Sequence, residues 1–178
     1  MAKFTSIIGV LLFLGVLLVG CSNSTDPVPS KTDPAPLRKE SSSLTVGKVS
    51  GETAAITYDR DKLISRLSAI FKRLNREVGN ITDVQIERAY ANEGEALEDW
   101  VLIGRGTNEA GFSALVVLPL TKQANGRLGV ELSAAANTCT GVKCKLCKFY
   151  AQTGCECQNP AVPGQHGYCN HSTGPVEE

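Results

Sequence analysis

A chain of 178 residues with 18 basic and 18 acidic side chains has no net field with which to steer a nucleic acid. Its length suits one folded domain rather than several. Seven cysteines are unevenly spread, with six of them between residues 139 and 169, so the chain divides into a cysteine-poor body and a cysteine-rich end.

The first segment is a targeting pattern. Lys3 is followed by an apolar run from Ile7 to Val19, which stops at the polar triplet Ser22-Asn23-Ser24. A bilayer-spanning helix needs about 20 apolar residues, so the run reads as the core of a cleaved signal. Its end, Leu18-Val19-Gly20-Cys21, resembles the lipobox of bacterial lipoproteins. That resemblance implies a signal peptide of residues 1–20, cleavage before Cys21 and acylation of the Cys21 thiol. Two or three acyl chains anchor stably where one binds only marginally. Residues 21–43 then read as a lipidated cysteine and a disordered tether, because Pro27, Pro29, Pro34 and Pro36 lie among Ser, Thr, Asp and Lys without an apolar face.

Pattern begins at Leu44. Val46, Val49, Ala54, Ile56 and Tyr58 predict one short strand. Asp59 or Asp61 then caps a helix in which Leu63, Ile64, Leu67, Ile70, Phe71, Leu74 and Val78 share one face, with Gly79 as its stop and Lys72, Arg73 and Arg76 near its C-terminal end. Its basic side, with Lys62 and Arg66, reads as a solvated face. After it the period becomes two. Val84, Ile86, Arg88 and Tyr90 predict a strand, Asn92 to Ala96 a turn, and Trp100 to Ile103 a second strand. Gly104, Gly106, Thr107, Asn108 and Gly111 mark the next reversal. The apolar run Phe112 to Leu118 predicts a central strand, with Pro119 at its end or at a bulge, and Asn125-Gly126 a hairpin into Leu128, Val130 and Leu132.

The expected fold is therefore α+β over residues 44–136: one amphipathic helix packed on a four- to five-stranded antiparallel meander, followed by a disulfide-rich irregular tail at 137–178. A strand, a helix and four antiparallel strands in that order is similar to cystatin-like domains. The glutamine-valine-glycine loop with which cystatins block proteases is not found at any turn, so no inhibitor activity is implied.

From Cys139 the apolar periodicity stops. Cys139, Cys144, Cys147, Cys155, Cys157 and Cys169 form an even set, and in an oxidising compartment three disulfides are expected, with fifteen possible connectivities. Cys155 and Cys157 are too close to pair with each other comfortably. Gly154, Cys155, Cys157 and the final Cys169-Asn170-His171 resemble the cysteine-rich ends of small envelope lipoproteins. Two metal readings compete with the disulfides. Zinc is the alternative cofactor, with Cys144, Cys147, Cys155, Cys157, Cys169, His166 and His171 as its candidate ligands. The spacing Cys139-x4-Cys144-x2-Cys147 also matches the plant-type ferredoxin loop, but an iron–sulfur cluster is hard to load outside the cytoplasm. Lys143, Lys145 and Lys148 would favour thiolates at Cys144 and Cys147, as thiol-redox chemistry requires.

No catalytic motif is visible, and neither His166 nor His171 sits in one. The expectation is a lipoprotein of the bacterial cell envelope, at the outer membrane. It would be held by the lipid on Cys21 and act as a non-enzymatic interaction or structural module toward an envelope protein or glycan. Zinc binding or thiol redox by the tail is the alternative.

Overall fold

A computed structural model of the protein describes residues 42–75 and 79–176. The expected signal, Cys21 and the tether up to residue 41 lie outside the described residues, as do Arg76, Glu77 and Val78.

The first patterned segment forms two strands rather than one: β1 (Ser43–Ser50) and β2 (Thr53–Ile56) are an antiparallel hairpin. Gly51, at φ +61°, supplies the left-handed residue this tight turn requires. The amphipathic run forms α1 (Arg60–Leu74), capped by Asp59, whose carboxylate accepts from the Lys62 N–H at 3.0 Å. Leu63, Leu67, Ile70 and Phe71 are buried along one face, and each such burial contributes about 1.5–3 kcal/mol. The helix ends at Asn75 rather than at Gly79. Asn75 takes extended backbone angles, and both its backbone N–H and its side-chain amide donate to the Phe71 carbonyl, at 3.0 and 2.9 Å. Gly79 opens the next strand instead, where an added Cβ would stand 2.3 Å from the Phe71 ring.

The remaining strands are β3 (Gly79–Asn92), β4 (Glu95–Asn108), β5 (Ser113–Lys122), β6 (Arg127–Glu131), β7 (Ala135–Val142), β8 (Cys144–Tyr150), β9 (Gly154–Pro160) and β10 (Tyr168–Pro175). β3 to β6 form the antiparallel succession expected from the period-two pattern, with the Asn125-Gly126 turn joining the last two. Two local expectations are corrected. Gly104 and Gly106 lie inside β4, and the reversal falls after Asn108. They are glycines because of crowding: a Cβ at Gly106 would sit 1.8 Å from the Asn80 carbonyl oxygen on β3, and one at Gly104 2.8 Å from Leu67 on α1. Pro119 neither ends nor bulges its strand. It pairs in register with Val101 and falls where β5 changes its other neighbour, from β7 at Ala114–Val117 to β6 at Thr121. A residue without an N–H is tolerated there because no ladder runs along that side.

The α+β expectation is overturned. Strand accounts for 64% of the described residues and helix for 11%, which makes the fold mostly β, with a nearly closed, barrel-like antiparallel sheet. Eight strands join in that sheet. β5 is its branch point, with β4–β3 on one side and both β6–β1–β2 and β7–β10 on the other, while β2 comes back toward β3 without a ladder. α1 packs on the concave face and completes a core with Val46, Ile81, Val84, Leu102, Val116, Leu118 and Leu128.

The tail is not irregular. β7 pairs with β5 and along its whole length with β10, and β8–β9 form a separate hairpin. Alternation is present in β7, but small residues carry it: Ala136, Thr138 and Thr140 are buried on one face and Cys139 and Gly141 on the other, so hydropathy does not reveal it. The helix end is tied to this strand. The Asn75 amide donates to Thr138 Oγ1 at 3.0 Å, and Thr140 Oγ1 donates to Asn75 Oδ1 at 3.1 Å.

Candidate functional site: a groove under a disulfide-held hairpin

All six tail cysteines are paired: Cys139–Cys155, Cys144–Cys157 and Cys147–Cys169, with Cα separations of 5.7, 5.9 and 6.0 Å, within the usual range. As the short spacing requires, Cys155 and Cys157 take different partners. The sulfurs of Cys144, Cys157 and Cys169 lie within 4.8 Å of one another, but as members of two disulfides they are not the thiolates that ligate zinc. Cys139, Cys144 and Cys147 likewise go to three different partners. His171 is on β10, with Nε2 3.0 Å from Asn137 Oδ1 and its ring 5.5 Å from that of Phe149. His166 is exposed in the β9–β10 connection. The pairing thus commits the sulfurs of the expected zinc set to structure.

The cystines hold β8–β9 across the convex face of the sheet. Val142 ends β7 and Cys144 begins β8, so the reversal between them rests on Lys143, at φ +53°. Cys147 N–H donates to the buried Ser113 hydroxyl at 3.0 Å. At the far end of β8 the Ala151 and Gln152 N–H groups donate to the Tyr90 and Ala91 carbonyls of β3, at 2.8 and 3.1 Å. The hairpin is therefore tied to the sheet by Cys147–Cys169 at mid-strand and Cys139–Cys155 near its tip, where backbone hydrogen bonds add to the hold. Ile103, Leu115 and Val117 pack with Cys139, Cys144 and Cys147 in a second core beneath it.

Beside this core the hairpin and sheet leave a groove of about 600 Å3. Val101, Ile103 and Val117 line its sheet side, Lys148 and Phe149 its hairpin side, and Gln152, Thr153, Asn137 and His171 add polar groups. Four of its charged residues are held in place. The Arg88 guanidinium lies 4.2 Å from the Trp100 ring centroid and donates to the Glu98 carbonyl. Lys148 Nζ lies 4.2 Å from the Tyr90 centroid and 5.2 Å from that of Tyr150. Arg105 pairs with Glu87 at 2.8 Å, both side chains about one-third exposed, a pair worth at most about 1 kcal/mol. The groove thus offers an apolar strip bordered by two positioned cations, one neutralised ion pair, the Asp99 carboxylate and several neutral hydrogen-bonding groups.

Of the groove residues, His171 was expected as a zinc ligand and Lys148 as a cation beside the tail thiols; Tyr90, Trp100, Val101 and Arg105 were not expected in a site. The available signal was the apolar character of both alternating sets in β5, Ala114, Val116 and Leu118 on one face and Leu115 and Val117 on the other, which marks a strand covered twice. A comparison of the chain with protein-family models, with curated proteins and with solved structures finds no significant match.

Proposed function

We propose that this protein is a lipid-anchored module of the bacterial cell envelope that holds a partner, an envelope protein segment or a glycan chain, in the groove under the β8–β9 hairpin, without acting on it chemically. The groove carries the reading: at about 600 Å3 it falls within the ~300–1,000 Å3 range of ligand sites, and its apolar strip is bordered by a few fixed polar groups. A binding rather than catalytic role is favoured because those groups are already engaged with one another, Arg105 with Glu87 and His171 with Asn137. The Leu18-Val19-Gly20-Cys21 motif supports the anchor, and three disulfides suit an oxidising compartment outside the cytoplasm. Zinc binding or thiol redox would need free thiolates, and all six tail cysteines are paired.

Site-specific photocrosslinking in intact cells tests this. A crosslinking residue in place of Thr153, exposed in the groove, should give a discrete protein or glycan adduct, and one in place of Glu52, exposed on the β1–β2 turn, should not. The adducts should disappear with Cys21→Ala, which also leaves the protein unprocessed or soluble. Equal labelling from both positions, or a Cys21→Ala protein still membrane-bound after a carbonate wash, would contradict the reading.

A further inference from the structure

Two of the three cystines lie side by side. The sulfurs of Cys144, Cys157 and Cys169 fall within 4.8 Å of one another, although Cys144–Cys157 closes the hairpin on itself, β8 to β9, and Cys147–Cys169 ties β8 to β10. Cys144 and Cys147 are fully buried, while Cys157 and Cys169 are half-buried. Each of the two cystines thus has one residue that solvent reaches and one that it does not. Gly167 leaves the Cys157 sulfur open on one side, because it carries no side chain where an added Cβ would stand 3.2 Å from Cys157 Sγ.

The backbone around these sulfurs suits a second pairing. Cys147 and Cys157 are register partners in the β8–β9 ladder. Directly opposed residues of an antiparallel pair have Cα atoms about 4.5–5.5 Å apart, inside the usual span of a disulfide. Cys144, for its part, comes down onto β7. Its carbonyl oxygen is 2.5 Å from where a Cβ on Gly141 would be, and Gly141 is the register partner of Cys169. Cys147–Cys157 and Cys144–Cys169 are therefore within reach without any change of strand pairing.

We propose that this cluster isomerises between the two pairings and that a small thiol catalyses the change. The thiolate attacks Cys157 Sγ, forms a mixed disulfide there and expels the Cys144 thiolate. Cys144 attacks the neighbouring Cys169 Sγ, closing Cys144–Cys169 and expelling the Cys147 thiolate. Cys147 then attacks Cys157 in the mixed disulfide, closes Cys147–Cys157 and returns the small thiolate. Two S–S bonds stand in the cluster before and after, so no oxidant or reductant is consumed. What changes is the tie between hairpin and sheet. It moves from Cys147, which adjoins the groove residues Lys148 and Phe149, back to Cys144 at the start of β8, and the roof of the groove loosens. The consequence for binding rests on the groove reading above, whereas the exchange does not, so missing crosslinks at Thr153 and missing exchange are separate failures.

The test takes the full chain, caps its free thiols with iodoacetamide, removes the reagent and adds a substoichiometric amount of glutathione at mildly alkaline pH. Peptide mapping after acid quenching should find Cys144–Cys169 and Cys147–Cys157 together, at no less than about a tenth of the native pairing, a gap of at most ~1.4 kcal/mol, with Cys139–Cys155 retained. Cys157→Ser leaves Cys144 without its partner; with no thiol added, alkylation in denaturant should label Cys147 as well as Cys144. In the isolated isomer the Lys148 and Phe149 amides should exchange with deuterium at least about tenfold faster. Native pairing alone after incubation overturns the proposal, and so does label confined to Cys144 in Cys157→Ser; the wild-type arm decides alone if that variant does not fold. Scrambling that draws in Cys139 and Cys155 overturns it too, because the whole hairpin would then be opening. Unchanged protection of Lys148 and Phe149 would detach the exchange from the groove and overturn it as a device acting there.

Discussion

The two faces of the sheet are closed by different chemistry. On the concave face the aliphatic stripe of α1 meets Val46, Ile81, Leu102, Val116 and Leu128, and burial of apolar area holds the layers together. On the convex face the covering layer is a two-stranded hairpin with few large apolar side chains besides its cystines: Tyr150 is fully buried at its tip, Phe149 is half-buried and Leu146 is 45% exposed. A lone hairpin is at best marginally stable in water, so the cross-links to β7 and β10 do there what side-chain volume does on the other face. One sheet can therefore carry a layer that a reader of hydropathy sees and another that hydropathy conceals.

The comparison breaks most sharply at Phe71. It is fully buried, and Phe71→Ala should cost about 3–5 kcal/mol, measured as a fall in the urea midpoint with all probes of both faces moving together. Removing one cross-link should be smaller and local. Replacing Cys139 and Cys155 by serine opens a loop of sequence separation 16, for which about 3 kcal/mol is expected, within a typical range of about 2–4 kcal/mol. Limited proteolysis should then cut near the β8–β9 turn while the far-ultraviolet signal of the sheet persists, because β7 remains paired with β5 and β10. Loss of the whole sheet would mean that the two faces form one cooperative unit. Full reduction should extend the same behaviour, freeing β8–β9 and leaving β7 in place.

The smallest expected effect lies where the two regions are joined. Asn75→Ala leaves Thr138 and Thr140, at 0% and 3% exposure, without their side-chain partner from the helix. It should lower stability by about 1–3 kcal/mol, seen by denaturant unfolding, without exposing the hairpin to protease. If the hairpin became sensitive as well, this polar junction would be shown to couple the faces.

The helix and strands β3 to β6 were legible because each carries its period in large side chains. Leu63, Leu67, Ile70 and Phe71 recur at helical spacing, and Val84, Ile86, Val101 and Ile103 sit on alternating strand positions. The β1–β2 hairpin was missed although Ser50-Gly51 lay in plain view, because its apolar residues, Val46, Val49, Ala54 and Ile56, are too few to show two separate strands. β7 and β10 were missed for the opposite reason. Their alternation is written in Ala, Thr, Cys, Gly and Ser, residues too small or too polar to register, and their order comes from ladder hydrogen bonds and cystines. The groove followed from that error, since a tail read as irregular has no face with which to build one.

By itself the sequence determined the even cysteine set, the separate partners of Cys155 and Cys157, a helix cap at Asp59 or Asp61, of which the structure uses Asp59, and the Asn125-Gly126 turn, because each is a local matter of spacing or backbone preference. Only the tertiary structure decided which one of the fifteen connectivities the three disulfides take, that β5 serves three neighbours, and that Trp100, Tyr90, Arg88 and Lys148 meet around one groove. Those outcomes depend on strand register between segments far apart in the chain. A tight turn fixes the register of the strands it joins, but β7 meets β5 and β10 without one and carries its alternation in small residues, so that register is settled only by pairing across the sheet.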